Sequence, residues 1–186
     1  MDIKENIDCI IRNFEELKKT TPKIEEIANV CINAIKNDNK ILLCGNGGSA
    51  SDAQHIAAEL VVKYKTIRKP LPAIALTTDT SILTAIGNDM GAEMIFERQV
   101  DALGKKGDIL ICITTSGNSQ NIIEALLTAK TKGLTSIVLT GNDGGEAKNI
   151  ANITLNAPSN ITNNIQEMHI AIGHILCDII EKHFAK

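Results

Sequence analysis

Tryptophan is absent, and only one tyrosine and three phenylalanines occur in 186 residues. An aromatic content of 2% leaves no stacking platform for RNA or single-stranded DNA. Basic residues are not in excess either. The 19 Lys and Arg face 22 Asp and Glu, for a net charge of −3. Nucleic-acid binders carry a basic face, so no nucleic-acid partner is expected. No apolar run approaches the roughly 20 residues of a membrane span, and Met1-Asp2-Ile3-Lys4-Glu5 lacks an apolar signal core. No membrane partner is expected, and the protein reads as cytoplasmic. Cys9, Cys31, Cys44, Cys112 and Cys177 form no Cys-x-x-Cys pair. That argues against a zinc knuckle or disulfide framework and for buried thiols in a reducing compartment.

What is present is aliphatic. Hydrophobic residues make up 44% and charged residues 22%, the balance of an ordinary globular domain. The length suits one domain, residues 1–186. Ile3, Ile7, Ile10, Phe14 and Leu17 recur at helical spacing. Thr21-Pro22 opens a second helix, which Asn37-Asp38-Asn39 ends. Residues 1–37 thus form a helical extension. Short apolar runs follow at Ile41–Cys44, Ala73–Leu76, Ile109–Ile113, Ile137–Leu139 and Ile153–Leu155. Helices are predicted at Ala50–Tyr64, Glu93–Leu103, Asn121–Lys132 and Asn163–His183. Strands alternating with helices imply an α/β fold with a parallel sheet covered on both faces. Ligands of such sheets bind beyond the C-terminal strand ends.

Two of the segments after strands suit an anion. Gly45-Asn46-Gly47-Gly48-Ser49-Ala50 lets backbone N–H groups and a helix N-terminus converge. A tight strand–helix turn accounts for those glycines equally well. Thr114-Thr115-Ser116-Gly117-Asn118-Ser119 places four hydroxyls around a glycine where a helix begins. Helix capping explains Ser119 alone; a phosphate held by neutral donors explains them all. The third glycine-rich stretch, Gly141-Asn142-Asp143-Gly144-Gly145, reads as a turn.

His55 and Glu59 lie four residues apart, on one face of the helix after the first glycine loop. Apolar neighbours surround them, a setting that pairs a glutamate or raises its pKa and suits a general base. The last helix carries Gln166, Glu167, His169 and His174 among apolar residues. Gln166 and His174 are about 12 Å apart along a helix. They reach one small site only at full stretch, unless one of them serves a neighbouring subunit.

These motifs resemble, in order and spacing, those of the sugar isomerase (SIS) domain family, and within it the phosphoheptose isomerases. The resemblance rests on Cys44 to Ser49, Asp52-Ala53-Gln54-His55, Ala58-Glu59-Leu60, Thr78-Asp79, Gly87-Asn88-Asp89, Thr115 to Ser119, and Ile165 to His169. It implies a three-layer, flavodoxin-like sandwich with a five-stranded parallel sheet. It also implies a homotetramer with intersubunit sites. The implied reaction converts sedoheptulose 7-phosphate, a phosphorylated seven-carbon sugar, to D-glycero-D-manno-heptose 7-phosphate through an enediol. That step begins nucleotide-heptose synthesis for lipopolysaccharide or capsule.

By the same resemblance, Thr114, Thr115, Ser116 and Ser119 would bind phosphate. Asn46, Gly47, Gly48, Ser49, Asn88, Asp89 and Gln166 would also contact the substrate. Glu59, itself a substrate contact, and His174 would be the acid/base pair. His55, Glu59, Gln166 and His174 would hold one zinc per subunit. Two positions depart from the family pattern: Asn164 stands where Arg is frequent, and Val62-Lys63-Tyr64 where Gly-Arg-Tyr is. Other SIS sugar-phosphate isomerases share the phosphate loop. DiaA, a replication-initiator-binding protein, shares the fold but lacks the acid/base residues at the positions of Glu59 and His174.

Overall fold

The computed structural model describes residues 2–185. Two helices come first, α1 (Ile3–Leu17) and α2 (Thr21–Lys36). Asp2 and Glu5 close a capping box on α1. The strands are β1 (Ile41–Gly45), β2 (Ala73–Ala75), β3 (Ile109–Ile113), β4 (Thr135–Thr140) and β5 (Ile153–Asn156). The helices between and after them are α3 (Gly48–Val61), α4 (Thr80–Asp89), α5 (Glu97–Leu103), α6 (Gln120–Lys132) and α7 (Thr162–Phe184).

All strands are parallel, in the order β2-β1-β3-β4-β5. The expected five-stranded parallel sandwich is the fold observed. Every residue of β1 and β3 is buried, which is why these strands read as continuous apolar runs. Alternate residues feed two cores. Ile41, Leu43, Ile109, Ile111, Ile137 and Leu139 face α2, α3 and α7. Leu42, Cys44, Leu110, Cys112 and Val138 face α5 and α6.

The chain leaves β1 for one edge of the sheet, then crosses back to β3 on the other side of β1. The gap between β1 and β3 is therefore the topological switch point, where such sheets form a ligand crevice. The first glycine loop and the hydroxyl-rich loop flank this gap, because they follow β1 and β3.

The sequence expectations needed two corrections. Helix α4 was not anticipated. Asp79 caps it by accepting from the Ile82 N–H at 3.0 Å, yet none of its residues is buried. Its Ile82, Leu83 and Ile86 make only a short apolar stripe, and its Thr and Ile have low helix propensity. The helix expected over Glu93–Leu103 also breaks, into a turn at Ala92–Met94 and α5 from Glu97.

Four of the five cysteines are buried and Cys9 is half-buried; all are free thiols. Cys44 and Cys112 are register partners on β1 and β3, with Sγ atoms 3.4 Å apart. Burial pushes the Cys31 and Cys177 thiols up to about 12, so both stay protonated.

Candidate functional site

Gly47 takes φ +56°, a backbone state open to glycine and strained for other residues. It turns the chain from β1 into α3. Gly48 lies under the side chain of Gln166, whose Nε2 is 2.8 Å from where a Cβ would stand. The second loop leaves β3 through Thr114, whose Oγ1 accepts from the Gly117 N–H at 3.3 Å. Ser116 Oγ accepts from the Asn118 N–H at 3.2 Å. Ser119 occupies the N-cap of α6, yet its hydroxyl makes no capping bond. That hydroxyl is left over for a ligand.

The two loops meet at a polar cavity of about 70 Å³. Asn46, Ser49, Thr114, Thr115, Ser119 and Gln166 line it. These are six of the residues singled out in the sequence, brought together from β1, β3 and α7. No charged side chain is among them. An anion here would be met by hydroxyls, amides and the positive ends of α3 and α6. Ser116, Gly47 and Gly48 belong to the same loops but do not line the cavity. Asn88 and Asp89 are not brought to it. They are exposed at the end of α4, where Asn88 Nδ2 donates to Asp89 Oδ1 at 2.7 Å.

The third glycine-rich stretch is a turn, as expected, and it also buttresses the hydroxyl loop. Ala147 N–H donates to Gly117 O at 2.9 Å, Glu146 N–H to Asn118 Oδ1 at 2.9 Å, and Asn142 Nδ2 to Thr115 O at 3.2 Å. Asn121 is a further residue that sequence reading missed. Its amide exchanges two hydrogen bonds with that of Asn46, at 2.8 and 2.9 Å, and so ties the two loops across the crevice.

Helices α3 and α7 both start at the C-terminal end of the sheet and run the same way. Gly48 meets Gln166, Ile56 meets Gly173, and His55 meets His174. The His55 and His174 Nε2 atoms are 3.2 Å apart, and His55 Nε2 is 3.4 Å from Glu59 Oε1. Tyr64 stacks on the His174 ring at 5.6 Å between centroids. Asp52, one turn before His55, faces the same group. Burial raises its carboxyl above the ordinary range, and His55 and His174 pull it back down. Side chains on both helices lean toward their N-terminal ends, where the cavity opens.

Three of the four positions that the family resemblance gives to zinc, His55, Glu59 and His174, therefore cluster. Gln166 stays two turns back, beside Gly48. Among the described residues, no group of three or more His, Cys, Asp or Glu side chains forms a ready metal cage. His169 takes no part in the cluster. It is fully buried and bonded to Thr140 O at 3.0 Å, and burial pushes its pKa down to about 4.

The two departures lie outside the cavity. Asn164 is buried, with its Nδ2 3.6 Å from Cys9 Sγ on α1. Lys63 is exposed in the segment after α3.

Comparison with known proteins agrees with this geometry. Residues 5–141 match the family model described as the SIS domain. A Clostridium acetobutylicum protein named phosphoheptose isomerase is 58% identical, over 97% of this chain and 95% of its own length. A Francisella tularensis phosphoheptose isomerase structure superposes with a TM-score of 0.94 at 42% identity, covering 97% of this chain and 96% of that one. Phosphoheptose isomerase GmhA from Neisseria gonorrhoeae gives 0.91 at 44% identity, with 97% of each chain covered.

Proposed function

Since this chain belongs to the SIS domain family, and within it to the phosphoheptose isomerases, we propose the following working of its site. The enzyme isomerises sedoheptulose 7-phosphate to D-glycero-D-manno-heptose 7-phosphate. The observation that carries this reading is the pairing of two parts on α3 and α7: a hydroxyl-lined anion cavity at their start, and the His55, Glu59 and His174 cluster further along. A binding module has use for the first part and none for the second.

The phosphate sits at the hydroxyl loop, with Ser119, Thr114 and Thr115 donating to it. Glu59 removes a proton from C1 of the ketose and returns it to C2. His174 gives a proton to O2 as the enediol forms, and takes one from O1 as the aldehyde forms. Net protonation is unchanged, and C1 ends as the aldehyde. Asn46 and Gln166 hold the sugar hydroxyls.

Zinc is the metal this donor set suits. A tetrahedral ion with bonds of about 2.0–2.1 Å keeps its ligand atoms roughly 3.3 Å apart, and the Nε2–Nε2 and Nε2–Oε1 separations of 3.2 and 3.4 Å are close to that. His55, Glu59 and His174 would hold it; Gln166, two turns back beside Gly48, stays with the substrate. When bound, it supplies a Lewis acid that polarises the substrate carbonyl.

The assay is purified protein with sedoheptulose 7-phosphate, followed by NMR, with and without chelator and added zinc. The manno-heptose product is expected, falling about tenfold or more with chelator and returning with zinc. No product in any condition overturns the isomerase reading. Equal turnover throughout removes zinc.

Ser119→Ala is expected to raise KM about 10- to 100-fold, since a hydrogen bond to a charged group is worth about 1.5–3 kcal/mol. Its Tm should be unmoved, because the hydroxyl caps nothing. An unchanged KM would move the phosphate elsewhere.

The assembly is proposed as a homotetramer with intersubunit sites. Two observations support it. On α1, Ile3, Ile7 and Ile11 are 83%, 51% and 54% exposed at four-residue steps, an apolar stripe suited to another copy. Asn88 and Asp89 stand away from their own cavity. A monomer in sedimentation equilibrium would refute the assembly. The reaction is placed in the cytoplasm, as the first step toward nucleotide-heptose for lipopolysaccharide or capsule. A deletion strain with normal envelope heptose would contradict that placement.

A further inference from the structure

Beyond the cavity and the acid/base cluster, the described residues include a buried ion pair, Arg68 with Glu181, that the mechanism does not use. Arg68 and Glu181 have side chains 2% and 4% exposed, with Arg68 Nε 3.6 Å from Glu181 Oε2. Their partners are informative. Arg68 Nη2 donates to the backbone O of Glu59 at 2.9 Å. Nη1 donates to Leu60 O at 2.7 Å and Lys69 O at 3.0 Å. The Glu59 and Leu60 carbonyls belong to the last turn of α3, where carbonyls have no intrahelical donor. Arg68 folds back and supplies one.

Glu181 completes the connection from α7. Its carboxylate accepts from the N–H groups of Tyr64, Lys65 and Thr66 at 2.7, 2.7 and 2.8 Å. It lies seven residues after His174, two turns on along nearly the same face. The segment it holds carries Tyr64, the ring stacked on His174. Thus Arg68 holds the backbone of Glu59, while Glu181 holds the loop whose tyrosine stacks on His174. A surface pair would stabilise little. This pair is dry, and it fixes both halves of the acid/base machinery relative to each other.

We propose that Arg68 and Glu181 are positioning residues of the isomerase, setting the Glu59 carboxylate against the His174 imidazole from the far end of α3. The proposal rests on the isomerase reading above. Two kinds of variant separate it from a merely structural role. Arg68→Lys keeps the charge but not the planar fork that spans Glu59 O and Leu60 O. The double variant Arg68→Met/Glu181→Leu removes both buried charges together. That is tolerated far better than stranding one of them, so it guards against simple unfolding.

In each variant that melts cooperatively, kcat is expected to fall about tenfold or more, since small misplacements of catalytic groups are costly. KM should stay within about twofold, because the phosphate cavity lies at the opposite end of α3. In the NMR spectrum, the His174 ring protons should lose the ring-current displacement imposed by Tyr64. A folded double variant with wild-type kcat and unmoved His174 resonances overturns the proposal. So does a fall in kcat matched by a rise in KM with those resonances unmoved. If the wild-type protein fails to turn over sedoheptulose 7-phosphate, the isomerase reading falls, and the His174 resonances alone decide whether the pair positions that ring.

Discussion

Glu59→Gln is expected to lower kcat by about 10³-fold, within the range for a removed general base, and to leave the fold intact. Glutamine matches glutamate in shape and cannot take the C1 proton. Glutamine is neutral, so the change buries no new charge at this partly exposed position (23% side-chain exposure). The forces that hold this turn of α3 do not pass through the carboxylate. Ile56 and Leu60 pack into the core on either side, and Arg68 bonds the Glu59 backbone oxygen. Two measurements check the prediction. One is kcat beside a thermal melt. The other is deuterium wash-in at substrate C1 in D2O, which should vanish together with turnover. A folded variant within tenfold of wild type would remove Glu59 as the base, leaving His55 or His174 for that role.

Gly117→Ala should be the most damaging small substitution in the phosphate loop. Gly117 has φ +68°, and an added Cβ would drive into the carbonyl oxygen of Gly144. That neighbour is backbone and cannot rotate away. It belongs to the turn that also bonds the loop through Ala147, Glu146 and Asn142. Left-handed strain and overpacking together cost about 3 kcal/mol. A chain of this size should show that as a Tm lower by several degrees, roughly 2–4 °C per kcal/mol. Distortion of Thr114 to Ser119 should also raise KM about 10-fold or more. Unchanged Tm and KM would mean that the interlock between the two loops yields easily and does not shape the anion site.

Much of this was legible in the chain itself. Each strand contains an apolar run, because most strand residues are buried against the helices; the polar ends of β4, Thr135, Ser136 and Thr140, lie outside that run. The glycine and hydroxyl loops stand out because only special backbone and donor chemistry explains their composition. His55 and Glu59 read as neighbours because four residues is one helical turn. Other parts left little local trace. Helix α4 is ten residues long and buries nothing, so Ile82, Leu83 and Ile86 give only a brief signal. The family resemblance groups Gln166 with His174, but their spacing allows one small site only at full stretch; Gln166 faces Gly48 and the phosphate cavity, because two helical turns separate the two residues. The third glycine turn reads as a turn; its grip on the hydroxyl loop depends on Gly117 and Gly144 meeting across the sheet end.

What the sequence alone determined is the set of local elements and the chemical types at their ends. It determined alternating strands and helices, two anion-friendly helix starts, and a carboxylate one turn from an imidazole. Tertiary structure decided which of these meet. The order β2-β1-β3 opened the crevice between the two loops. The parallel packing of α3 against α7 brought His174 to His55 across 119 residues and set Glu181 on the backbone of Tyr64 across 117. Helical periodicity reports only on neighbours within a turn or two. Contacts across more than a hundred residues are settled by how the buried faces of the sheet and helices fill one core.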